Sequence, residues 1–125
     1  MPRRAMVVDD EDLVRSLLAE VLAEVLADEG FEVIEAGCGD EALALLDQVA
    51  PLDLLVSAVH MPGGADGYEV ARQARARCAG LPIVVTTGRP EAGRPWLGGA
   101  GKRTALVLKP FRIEAMLQAI GRVAA

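Results

Sequence analysis

Five short apolar runs, separated by segments of helical periodicity, constrain this chain more than any other feature. The runs are Ala5–Val8, Phe31–Ile34, Leu52–Val56, Ile83–Val85 and Ala105–Leu108. Each is nearly continuous in apolar character, as a strand covered on both faces must be. Between them, Asp12–Asp28, Asp40–Val49, Gly67–Ala79 and Arg112–Val123 read as helices. The last places Ile113, Met116, Leu117 and Ile120 at the i, i+3, i+4, i+7 spacing of a helix packed on one face. Such alternation predicts an α/β fold: a doubly wound, five-stranded parallel sheet with helices on both faces. Ligands of such sheets bind at the carboxyl ends of the strands, so the chemistry is sought there.

A length of 125 residues suits one domain spanning 1–125, and 52% hydrophobic residues supply a core. The net charge of −5 disfavours a nucleic-acid partner, which needs a basic footprint. No apolar run approaches the roughly 18–20 residues of a membrane span. Basic residues at the start lead into no signal-peptide core, and a cytoplasmic protein without a membrane partner is expected. Cys38 and Cys78 are too few for a disulfide scaffold and lack metal-ligand spacing.

Two stretches break the rhythm. Gly88–Arg103 should hold a helix between the fourth and fifth strands, yet its density of Gly and Pro opposes one. Within it Gly98–Thr104 imitates a phosphate-binding loop, but Trp96 and Arg103 stand where that motif needs Gly and Ser or Thr. The other is a tandem repeat, Ala19–Leu22 then Ala23–Leu26. Apolar pairs four residues apart advance about 40° per step, so the stripe wraps around the first helix. Some of Leu22, Val25 and Leu26 are therefore expected at the surface, where they would support a homodimer through this helix, unless the helix tilts or unwinds locally to bury the stripe in a monomer.

At the strand ends, Asp9 and Asp10 follow the first run and could hold a hard cation through oxygen. They could equally be the acidic start of a helix, favoured by its dipole. Thr87 ends the fourth run and Lys109 follows the fifth, where a hydroxyl and an ammonium could meet phosphoryl oxygens.

Taken together, Val7-Val8-Asp9-Asp10-Glu11, Asp53–Val56, His60-Met61-Pro62-Gly63, Asp66-Gly67-Tyr68-Glu69, Pro82–Gly88 and Lys109-Pro110-Phe111 resemble, in order and spacing, the receiver domains of bacterial two-component response regulators. The resemblance covers essentially the whole chain. It implies the flavodoxin-like receiver fold, a non-enzymatic role in phosphorelay signalling, and a histidine kinase or phosphotransfer protein as partner. It implies a Mg²⁺ site at Asp9, Asp10 and the backbone carbonyl of His60, with Thr87 and Lys109 as phosphoryl-binding residues and a cis Lys109–Pro110 bond. It also implies that Ala58 stands where the family has its phospho-accepting Asp, so phosphorylation at that position is not expected and Mg²⁺ should bind weakly. Ser57 should not substitute, because neighbouring strand residues face opposite ways. With no third carboxylate, Asp10 and Lys109 are expected to pair closely. Leu106 stands where the family often carries an aromatic switch residue. The alternative, a small flavodoxin-like domain or enzyme binding a flavin or nucleotide, lacks a Gly-rich loop after the first strand.

Overall fold

A computed structural model describes residues 3–27, 30–49, 51–89 and 103–124. The elements run β1 (Arg3–Val8), α1 (Asp12–Val25), β2 (Phe31–Ala36), α2 (Gly39–Val49), β3 (Leu54–Ala58), α3 (Gly67–Arg77), β4 (Ile83–Thr87), β5 (Thr104–Leu108) and α4 (Ile113–Ala124). The five strands form one parallel sheet in the order β2-β1-β3-β4-β5. The expected doubly wound fold is present. The stretch 90–102, with Trp96 and most of the Gly/Pro-rich segment, lies outside the described residues.

Alternation along the strands builds two cores. Met6 and Val8, Leu55, Ile83 and Val85 face α2 and α3, against Ala42, Leu46, Val70 and Ala74. Ala5 and Val7, Leu54 and Val56, Val84 and Val107 face α1 and α4, against Leu18, Leu22, Met116 and Ile120. Every residue of β3 and of β4 is buried, which is why these runs read as continuous rather than alternating. Each fully buried Leu, Ile or Met contributes about 1.5–3 kcal/mol of transfer free energy.

Three boundaries differ from the sequence reading. β3 begins at Leu54 and continues through Ser57 and Ala58, two residues beyond the expected end. Asp53 is a hinge instead: its N–H donates to the Arg4 carbonyl at 2.8 Å, and its carboxylate accepts the Arg4 N–H at 2.9 Å. α1 ends at Val25, short of the expected Asp28, and the Leu26 N–H closes it on the Leu22 carbonyl. Of the three residues among which some were expected at the surface, Leu22 is fully buried, because the wrapped stripe turns it onto the sheet. Leu26 is partly buried against the same core, and of the three only Val25, 50% exposed, faces solvent.

Gly67 explains the Asp66-Gly67-Tyr68-Glu69 motif. Its N–H donates to the Val59 carbonyl at 2.9 Å, and a Cβ there would collide with the Ala58 carbonyl oxygen. Asp66 caps α3 by accepting the Glu69 N–H at 2.9 Å. The start of α3 is thus locked against the end of β3.

Candidate functional site

The carboxyl ends of β1, β3 and β4 put one row of residues side by side. Ala58 pairs in register with Thr86, Thr86 pairs with Val107, and Asp9 follows the Val8–Ser57 pair by one position. Val7, Val56, Val84 and Val107 all face α1 and α4, so residues two further along each strand turn the same way. That sends Asp9, Thr86 and Lys109 to one face, while Ala58, the last residue of β3, packs with the α2–α3 core. Ser57 turns to the opposite face, fully buried, with its hydroxyl donating to the Ala58 carbonyl at 2.9 Å.

Asp9 is 1% exposed, and both its oxygens are engaged. Oδ1 accepts the Glu11 N–H at 2.9 Å, and Oδ2 accepts Lys109 Nζ at 2.9 Å. Lys109 Nζ also reaches Glu11 Oε1 at 3.0 Å. Arg15 braces the same turn: Nη1 donates to the Asp9 carbonyl at 2.8 Å, and the guanidinium pairs with Asp12 and Glu35. Burial pulls the Lys109 pKa down, but hydrogen bonds to Asp9 and Glu11 and their charge outweigh it and hold it above the usual lysine value.

The structure therefore joins Asp9 to Lys109 and corrects the expected Asp10–Lys109 pair. Asp10 belongs to the opposite alternation and is exposed, as is His60. Thr87 is 2% exposed, and its hydroxyl oxygen accepts the Arg89 N–H at 3.0 Å. The Lys109–Pro110 bond is cis. Among the described residues no three His, Cys, Asp or Glu side chains gather as a metal cluster. The oxygen donors of Asp9, Asp10 and His60 suit Mg²⁺ in kind. Each Asp9 oxygen already accepts one protein donor, which leaves a cation one lone-pair site on each.

Sequence reasoning missed three features. Glu11 passed as part of an acidic run, although its place two residues after Asp9 suits the turn that brings it back. Thr86 was not singled out; its hydroxyl is 1% exposed and has no hydrogen-bond partner among the described residues. Between α1 and the turn after β5 lies a hollow of about 300 Å³, where Val14, Leu17 and Leu18 face Pro110 and Phe111 and the Glu11–Lys109 pair adds a polar wall. A larger hollow, about 640 Å³, opens at the opposite end of the sheet, away from this chemistry. Its Arg103 holds the end of α4 through the Val123 and Ala124 carbonyls at 2.9 and 3.2 Å.

Residues 5–121 match the family model described as the response regulator receiver domain. The chain is 38% identical over 122 residues to the transcriptional regulatory protein PdtaR of Mycobacterium tuberculosis, covering 96% of this chain and 56% of that protein. It thus spans about half the length of this relative. The chemotaxis protein CheY4 of Vibrio cholerae superposes with a TM-score of 0.76 at 29% identity, over 98% of this chain and 99% of that one. The response regulator TrrA of Thermotoga maritima, solved with Mg²⁺ and BeF, gives 0.73 at 30% identity, over 97% and 98%.

Proposed function

The chain belongs to the response-regulator receiver family, and from that premise we propose a receiver that takes no phosphoryl group at position 58 and works by contact with other proteins. One observation carries the reading. Ala58 ends β3 in the register row between Asp9 and Thr86, where a phosphoryl acceptor would need a nucleophilic oxygen and a methyl group stands instead. Ser57 offers no substitute, since its hydroxyl is buried and already donates to the Ala58 carbonyl. In this reading Asp9, Asp10 and the His60 carbonyl are a weakened Mg²⁺ site, because a hard cation gains affinity from each carboxylate. Thr87 and Lys109 are the phosphoryl-oxygen contacts of the same site.

The partner is a histidine kinase or phosphotransfer protein, the class with which receiver domains interact, in the cytoplasm. Among the described residues no helix is long and apolar enough to cross a membrane. A second copy of the chain is a poor partner for α1. Leu22 is buried, and Glu20 and Glu24 fall within about 60° of Leu13 and Leu17 around the helix, so a symmetric pair would bring like charges together. Light scattering at rising concentration is expected to give the monomer mass throughout.

Incubation with radiolabelled acetyl phosphate and Mg²⁺ tests the reading. The wild-type chain is expected to stay unlabelled, and Ala58→Asp is expected to take label on the introduced carboxylate. Label on the wild-type chain, mapped to another residue, contradicts the proposal.

A further inference from the structure

We infer that Glu11 is the standing second counter-ion of Lys109, in the role an acceptor carboxylate at position 58 would fill, so that the clasp between α1 and β5 is set without phosphorylation. The inference rests on the reading of position 58 given above. Lys109 keeps only 19% of its side chain exposed, and an ammonium so covered needs charged partners to replace water. Asp9 supplies one. Ala58, next to Asp9 and Thr86 in register, supplies none. Glu11 supplies the second at 3.0 Å, across 98 positions of sequence.

Glu11 is held to this task by its backbone. Its N–H is fixed on Asp9 Oδ1 at 2.9 Å, and its carbonyl accepts the Arg15 N–H at 2.9 Å, so the first turn of α1 and the carboxylate move together. The pair also lines the hollow between Val14, Leu17 and Phe111. A lysine charge of +1 already faces two carboxylates here, and a third at position 58 would leave an excess of negative charge. The more exposed carboxylate, Glu11 at 58%, would then yield its place to the buried one. Glu11 is thus a positioning residue: it holds one wall of the apolar hollow in the state that the sequence dictates.

A double-mutant cycle between Glu11→Gln and Ala58→Asp tests this, read by urea denaturation at low salt and by the methyl resonances of Val14, Leu17 and Leu18. In the wild-type background Glu11→Gln is expected to lower the folding equilibrium constant about two- to five-fold, the range of a partly exposed pair, and to shift the hollow's methyls. In the Ala58→Asp background the same substitution should change neither. Equal effects in the two backgrounds, or unmoved methyls in the first, overturn the inference. Acetyl-phosphate labelling of Ala58→Asp reports separately on the acceptor position. Label without coupling removes the clasp and leaves the acceptor reading intact; coupling without label does the reverse.

Discussion

The two helical layers differ in how they end at solvent. On the α2–α3 side, the outer surface is tied by ion pairs: Arg77 meets Asp47 at 2.8 Å, and Arg72 meets Glu69 one turn along α3. On the α1–α4 side, α1 exposes Leu13 at 87%, Leu17 at 50% and Val25 at 50%. Both layers bury their inner faces equally well, Leu46 and Leu22 each at 0% exposure. The difference is therefore not one of packing. α1 carries more apolar residues than one sheet-facing stripe can hide: Leu17 lines the hollow beside the Glu11–Lys109 pair, and Val25 the hollow at the opposite end of the sheet.

Four measurements can break or sharpen that contrast, the largest effect first. Leu22→Ala and Leu46→Ala should each cost about 3 kcal/mol in urea unfolding, as buried Leu truncations do. A much smaller loss for Leu22 would mean that α1 is loosely seated and that the two layers differ within. Next, Lys109→Met should cost about 2 kcal/mol, because it strands the Asp9 carboxylate; this is less than for a fully buried pair, since Lys109 remains partly exposed.

The same lysine predicts a pH dependence. Its pKa is raised in the folded chain, so folding favours the protonated form. That contribution is complete below the unfolded lysine value of about 10.4, and it is lost as pH rises through the higher folded value. Urea midpoints from pH 8 to 11 should fall more steeply for the wild type than for Lys109→Met.

Third, Thr86→Val should stabilise the chain by about 1 kcal/mol in the same assay, by removing a buried hydroxyl that has no partner among the described residues. A loss of stability would mean that the hydroxyl is satisfied. Smallest, Leu13→Ser should change stability by less than about 0.5 kcal/mol while reducing the exposed apolar surface. If Leu13 proves as costly as Leu22, its exposure in the isolated domain is not real and the contrast between the layers fails.

Much of this was legible in the residues. Continuous apolar runs require strands covered twice, and helical periodicity between them requires crossovers; together they fixed the sheet, its parallel sense and the end at which chemistry gathers. Asp9, Thr87 and Lys109 stood out in sequence by their places at predicted strand ends, and the structure joins Asp9 to Lys109. Gly67 could be noted in sequence, but the reason for it, the close approach of α3 to the Ala58 carbonyl, needed the fold.

What the tertiary structure alone decided is which charges meet. The sequence offers Asp9, Asp10, Glu11 and Asp12 in succession, and nothing local says which of them answers a lysine almost a hundred residues away. Strand alternation buries Asp9 beneath Lys109 and turns Asp10 outward, and the first turn of α1 folds Glu11 back to complete the pair. Likewise the apolar wrap of α1 predicted surplus surface but not its location, because Leu22 is buried by the sheet beneath it and Leu13 is exposed by having none. Periodicity acts between neighbours in the chain and can be read there; ion pairing and burial depend on distances that exist only once the strands lie side by side.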